Sequence, residues 1–360
     1  MGDIDVNGGV RAQSGFALQR NTALYILLND YHAKYLNSNY FLCLEHHDDF
    51  VFCFQDSSGA TTLTEAYQSK KKSPHRWTVN QDLVEILLKL LQTGIRVKKD
   101  IALQSSTYSQ NLYFTSNTSI FIESQEAENV SVDEENTLVC FKDLDPLIKD
   151  EIIRKFQDSL RSDPLVKSEY ENLRFLYIEL PRTAKEQRNL LSGKLGEVFG
   201  SDIHDRDAAI ETIFSLFQKI ELVYNQQSAS FLDETKRVSG EQISLALKLL
   251  TTKSKAFDYW RSEKREIASR LNIKPFERDG FESTFVASFD FFKSLSEAEH
   301  QKILRFAAEN YMNCKSTAEE GCVLELFDLF KGTRSTKLRD LELKSVLYAA
   351  YFQVTYKQGA

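Results

Sequence analysis

Residues 44–55 read LEHHDDFVFCFQ, and residues 61–70 read TTLTEAYQSK. Aromatic and β-branched runs between polar breaks read as strands. With NYFLCLE (39–45) before them, they predict an antiparallel hairpin followed by a third strand. In such a hairpin Glu45 ends one strand and Asp49 begins the next, so two carboxylates meet at one edge of a sheet. On the third strand Gln68 and Lys70 are two residues apart, and period-two geometry points both side chains to the same face. Two hard oxygen ligands suit Mg2+, or Mn2+ in its place, because such an ion keeps several waters and takes one or two protein carboxylates. The Gln68 amide oxygen would complete the shell or hold its water. The Lys70 ammonium would orient the attacking water, ease its deprotonation or stabilise charge growing on a phosphate. Two acids, an amide and a lysine on three adjacent strands suit metal-dependent phosphodiester hydrolysis. The competing reading is a charged hairpin followed by a basic surface strand, since acids and lysines are ordinary at strand ends.

Upstream, GFALQRNTALYILLNDYHAKYL (15–36) repeats apolar residues at three- and four-residue intervals and predicts a helix. Downstream, NQDLVEILLKLLQTG (80–94) predicts a helix that starts after a polar cap and stops at Gly94. QNLYFTSN, NTLVCF and LRFLYIEL read as strands; DPLIKDEIIRKFQDSL and TAKEQRNLLSGKLGEVF read as helices. Between Glu123 and Glu135 lie six acids and no base, which predicts a solvated loop or lid. These segments make a mixed α/β unit. From Asp207 onward the texture changes to four or five long amphipathic helices, with no fixed repeat that would indicate a solenoid.

A chain of 360 residues, 42% hydrophobic and 27% charged, can bury a sizeable core in one large or two ordinary domains. No window approaches the roughly 18 apolar residues of a membrane helix, and MGDIDVNGG lacks the features of a signal peptide, so a cytoplasmic protein without a membrane partner is expected. Five cysteines, scattered and never in a C-x-x-C pair, argue against both a zinc knuckle and a disulfide framework. The net charge of −7 excludes a basic coat but not a local positive patch for nucleic acid.

The order GGVRAQSGFALQRNTALYILL, then LEHHDDFVF, then AYQSK, then the Trp77–Leu91 stretch resembles the PD-(D/E)XK nuclease superfamily in its Q-x-K form. More narrowly it is similar to the double-stranded DNA endonuclease domain of bacterial anti-phage effectors, found in CBASS effectors and in the nuclease subunit of Lamassu systems. The resemblance covers residues 1–120 well and fades by residue 200. It implies an α/β (α+β) restriction-endonuclease-like domain with a central mixed sheet over residues 1–200, followed by an α-helical assembly and partner-docking domain over 201–360. It also implies Asp49 as the principal metal carboxylate, Glu45 as the second acid, and Gln68 with Lys70 as the Q-x-K pair. Asp48 is the alternative to Asp49, because a one-residue register change exchanges the two. Many members carry Asp or Glu where this chain has Gln68. That departure leaves metal affinity more dependent on Glu45 and Asp49.

Other residues carry two readings each. Lys71, Lys72, His75 and Arg76 would contact DNA phosphates, giving affinity without sequence information; a solvated loop explains them equally well. His46 and His47 point to opposite faces if they lie on a strand, so at most one can join the acids, and both are read as turn residues. Gln13 and Gln19 on the first helix either approach the site from the side or are exposed polar positions. Trp77 is read as a buried anchor for the following helix rather than a base-stacking platform.

A CBASS effector of this class would carry a nucleotide-sensing domain with its own strands, and only helices are read beyond Asp207. The resemblance therefore favours the Lamassu type, in which an SMC-like ATPase and a small accessory subunit hold the nuclease inactive until invading DNA is sensed. A homo-oligomer is expected, because cutting both strands of a duplex needs two sites. The alternatives are a related nuclease acting on RNA and a non-catalytic assembly module that keeps the fold. The latter predicts the acids more than about 8 Å from Gln68 and Lys70, too far to share one ion.

Overall fold

The computed structural model describes residues 8–45, 49–71, 75–101, 103–125, 127–203, 205–221, 234–292 and 298–355, without the side chains of 8–14, 159, 234 and 254. The chain divides into two compact units, one of residues 1–198 and 210–243, the other of 199–209 and 244–360. Asp48, His46, His47 and Lys72 lie outside the described residues, as does the side chain of Gln13.

The first unit opens with helix α1 (Gly8–Asn29), which runs on into a π-helical turn at Tyr31–Tyr35. Strands β1 (Asn39–Leu44) and β2 (Phe50–Gln55) form the expected hairpin, and β3 (Thr61–Lys70) pairs antiparallel with β2. The turn before β3 is built by Asp56, whose Oδ1 accepts the Ser58 and Ala60 N–H groups at 2.9 and 3.0 Å, while Gly59 supplies the φ of 81°. After β4 (Trp77–Thr78) comes α2 (Gln81–Asp100), started by the Asn80 side chain accepting from the Leu83 N–H at 3.1 Å. Then follow β5 (Gln104–Ser116), β6 (Ile120–Ile122), β7 (Val130–Val132) and β8 (Leu138–Cys140). The helices α3 (Pro146–Arg154), α4 (Asp158–Arg161) and α5 (Pro164–Ser168) lead to β9 (Leu173–Tyr177), α6 (Ala184–Phe199), α7 (Arg206–Glu221) and β10 (Arg237–Ser239).

Seven strands form one mixed sheet in the order β10-β1-β2-β3-β5-β9-β8, with β3, β5 and β9 parallel to one another. A second sheet joins β4, β6 and β7, so the acidic stretch contributes strand β7 as well as loop. On one face of the large sheet, Leu83, Leu87 and Leu91 of α2 pack with Val51, Ala66, Leu112 and Phe114. Tyr35 packs with Tyr40, Phe52 and Phe54, and a row of stacked rings crosses the strands from Phe50 through Tyr67 to Tyr113. Strand β2 is apolar at consecutive positions because both its faces are covered.

Two local expectations are corrected. Gly94 lies inside α2 rather than ending it. Its role is close approach: a Cβ there would meet Gln110 Nε2 at 2.7 Å, Leu112 Cδ1 at 2.8 Å and Glu169 Oε2 at 3.0 Å. The region after Asp207 also contributes a strand, since β10 pairs antiparallel with β1 through Phe41↔Ser239, Leu42↔Val238 and Cys43↔Arg237.

The second unit takes in most of α8 (Gly240–Arg270), with α9 (Arg278–Phe291), α10 (Ala298–Asn310), α11 (Glu319–Thr333) and α12 (Asp340–Thr355). Among the described residues of 244–360 every element is helical. Helix α12 is apolar almost all round because α9, α10 and α11 all pack against it. The core is aromatic, with Trp260, Phe281, Phe285, Tyr348 and Phe352 in mutual contact. Helix α11 was not read from the sequence, although Cys322, Val323, Leu326, Phe327 and Phe330 recur at helical spacing and are buried.

Candidate active site

The hairpin that closes β1 onto β2 positions the two acids. Leu44 pairs with Phe50, and beyond that pair the Glu45 N–H donates to the Asp49 carbonyl at 3.0 Å. Glu45 is held at φ 51°, a left-handed conformation that costs a non-glycine residue about 1 kcal/mol or more and persists only where surroundings fix it. On the other side of β2 the register Phe50↔Tyr67 brings Asp49 beside Gln68. The Gln68 amide donates to Asp49 Oδ1 at 2.5 Å, and the Ser69 backbone N–H donates to Oδ2 at 2.6 Å. The Lys70 ammonium stands 3.8 Å from the same Oδ2. Asp49 and Gln68 are 7% and 8% exposed, whereas the Lys70 side chain keeps 38% of its surface open. Gln68 and Lys70 thus both reach Asp49.

Electrostatics follow from burial. The Asp49 carboxyl is pushed above its usual range by desolvation, against the opposing pull of the Lys70 ammonium and of donors from Ser69, Gln19 and Gln68. Glu45 is raised as well, again by desolvation first, with a hydrogen bond from Gln19 opposing and the charges of Asp49 and Glu221 adding to the rise. A buried carboxylate and a half-buried one whose charges act on each other are an arrangement that a cation relieves.

Gln19 is therefore at the site. It lies on α1 one turn before the fully buried Thr22 and Ala23, and its side chain hydrogen-bonds both acids. The available signal was its place on the buried stripe of the helix, three and four residues from those positions. Glu221 was not foreseen. It comes from the end of α7, is raised by burial, and is tethered by Arg20 at 3.2 Å. Nothing local in the sequence links positions 201 residues apart.

The remaining candidates separate. Trp77 is buried at 6%, as expected of it, and its partners are on β5: it donates its indole N–H to Ser116 Oγ at 2.9 Å and meets Phe114 edge-on. Lys71, His75 and Arg76 are exposed, and the Arg76 guanidinium lies 3.9 Å over the Phe121 ring. On β3, Glu65 is buried and pairs with Lys34 of the π-helical turn and with the Tyr67 hydroxyl.

Among the described residues no three His, Cys, Asp or Glu side chains gather as a metal cage. What the site offers instead is hard oxygen: two carboxylates, the Gln68 amide, and the buried Gln19 Oε1, which has no hydrogen-bond partner within the described structure. That donor set fits a small divalent cation that retains much of its water.

A family model described as Cap4, dsDNA endonuclease domain, matches residues 7–221. No curated protein and no solved structure matches the chain.

Proposed function

The chain belongs to the Cap4 dsDNA endonuclease domain family, which makes it a DNA endonuclease of the hydrolase class, and from that premise we propose how it works and in what setting. We infer that Glu45, Asp49, Gln68 and Lys70 are the catalytic set. The observation that carries this reading is the convergence of Gln68, Ser69 and Lys70 on the one buried carboxylate of Asp49. A Mg2+ or Mn2+ held by Glu45, Asp49 and the Gln68 amide would polarise a phosphodiester and lower the pKa of a bound water. The Ser69 N–H fixes the Asp49 carboxylate against the sheet, so its other lone pairs keep one orientation. The Lys70 ammonium, more open to solvent than its neighbours, supplies a positive charge for the phosphate or its attacking water. Lys71, Lys72 and Arg76 follow on the same segment and would hold the duplex backbone, without reading sequence.

The setting we propose is anti-phage defence of the Lamassu type. There an SMC-like ATPase and a small accessory subunit restrain the nuclease, and release with self-association presents two sites to the two strands. The helical second unit is the surface for those partners. A metal-dependent cut would then occur only in the assembled, released state.

The test is incubation of purified protein with supercoiled plasmid and Mg2+, alone and with the partner subunits, beside a structured RNA substrate. Lys70→Ala should cut plasmid about 100- to 1,000-fold more slowly than wild type, the usual cost of removing one charge-stabilising group. Undiminished cutting by that variant would show the assigned set to be wrong. Cutting of RNA in preference to duplex would reassign the substrate.

A further inference from the structure

Two carboxylates, Glu45 and Asp49, meet at one end of the hairpin, and the charge of Glu221 also reaches Glu45. Like charges at that density spread apart unless something holds them. Two consecutive residues of α1 do so. Arg20 takes Glu221, and Gln19 hydrogen-bonds both Glu45 and Asp49. Glu45 directly follows β1, Asp49 directly precedes β2 and Gln19 lies on α1 before both, so this amide ties the helix to both ends of the hairpin where the proposed chemistry occurs.

The orientation of the amide follows from charge. Its N–H groups face the carboxylates, because the reverse orientation would set a carbonyl oxygen against two anions and leave the donors unsatisfied. Oε1 is shielded from solvent and has no partner within the described structure. A buried carbonyl without a donor costs free energy, and a positive or hydrogen-donating species beside it recovers that cost.

We propose that Gln19 is the positioning residue of this site: it spans Glu45 and Asp49 to fix their spacing, and it presents a further neutral oxygen to a hydrated divalent cation. The proposal rests on the reading of Glu45 and Asp49 as metal carboxylates. Neutrality is what makes Gln suited to the position, since a further acid would add repulsion whereas an amide offers both donors and an acceptor without charge. The residue acts through its neighbours and does not itself meet the phosphate.

Titration of the full-length, chelator-treated chain with Mn2+ by calorimetry tests this without any dependence on cleavage. Gln19→Met, close in shape and without hydrogen bonds, should bind Mn2+ about ten- to a hundredfold more weakly than wild type, the usual cost of removing an outer partner of a metal ligand, with an unchanged circular dichroism spectrum. Gln19→Glu should melt earlier than wild type in chelator and gain more from added Mn2+, because a further ionised carboxylate beside Glu45 and Asp49 repels until a cation arrives. A Gln19 that only packs the helix would leave the Mn2+ gain equal to that of wild type in both variants. Should Gln19→Met not fold, Gln19→Glu alone decides. Asp49→Asn separates the two levels of the argument. If Asp49→Asn loses Mn2+ while both Gln19 variants bind as wild type, the positioning role is overturned and the carboxylate site stands. If Asp49→Asn itself binds Mn2+ as wild type, the carboxylate site is overturned.

Discussion

At Asp49 burial and hydrogen bonding oppose each other, and burial wins: the carboxyl is raised despite Lys70, Ser69, Gln19 and Gln68 all favouring its anion. A raised carboxyl in the folded state means that the stability it contributes is present at acid pH and is lost as pH rises through the folded pKa. At neutral pH the ionised Asp49 therefore weighs against folding. Asp49→Asn should abolish cleavage and yet melt higher than wild type in chelator at pH 7, with the two curves converging as pH falls. A variant less stable than wild type at pH 7 would show that the donors, not burial, set the balance. Gly94 is the second residue whose environment decides its identity. Gly94→Ala gains about 1 kcal/mol of helix propensity but forces a methyl into Gln110, Leu112 and Glu169 at 2.7 to 3.0 Å. Those side chains cannot swing away freely, because Gln110 donates to Glu169 at 2.8 Å and Asn172 donates to it at 2.7 Å. Overpacking of about 1–3 kcal/mol should outweigh the gain, and urea denaturation should report a net loss near 1 kcal/mol. A more stable Ala variant would mean that this network yields.

Elements are fixed here by what they lean on as much as by their own propensity. The β1–β2 hairpin and β3 were legible because aromatic runs and period-two spacing are local properties of the chain. Helix α2 was legible in kind but not in length, since Gly94 usually marks a helix end and here marks a close contact with β5. Helix α11 escaped although its apolar spacing is regular, because it opens on two acids after a polar stretch and no Ser, Thr or Asn side chain caps it. In the second unit α8 and α9 are joined by Lys264, which reaches Glu282 at 2.5 Å, and by the Trp260 indole, which donates to the same carboxylate at 3.0 Å. These donors hold the Glu282 carboxyl below its usual range, Lys264 first. A depressed carboxyl contributes stability above its unfolded pKa and loses it as pH falls through the folded one. Glu282→Gln should therefore melt lower than wild type at pH 7, and the difference should close in acid. A gap that persists at low pH would assign the loss to packing around Trp260 instead.

For the whole molecule, the informative feature is where the large sheet ends. Its first edge strand, β10, comes from residues 237–239, well after α7, and covers the backbone of β1 at Phe41, Leu42 and Cys43. The first compact unit accordingly reaches residue 243, and Glu221 lies within it. A fragment of residues 1–243 should be monodisperse and melt cooperatively, whereas a fragment of 1–200 exposes an unpaired apolar edge and should aggregate. Size-exclusion chromatography with light scattering distinguishes them, and equal behaviour would show that β10 is dispensable. None of the described helices is long and apolar enough to cross a membrane.

By itself the sequence determined the two-part character of the chain, the hairpin with its acids at the turn, and the facing of Gln68 and Lys70, because each follows from periodicities a few residues long. Only the tertiary structure decided that Gln19 joins the acids, that the charge of Glu221 reaches Glu45, that Gly94 belongs inside a helix, and that a strand after residue 236 completes the sheet. These are contacts between positions tens to hundreds of residues apart, set by how helices and strands pack. A one-dimensional pattern holds the residue types for such contacts but not the distances that make them a site.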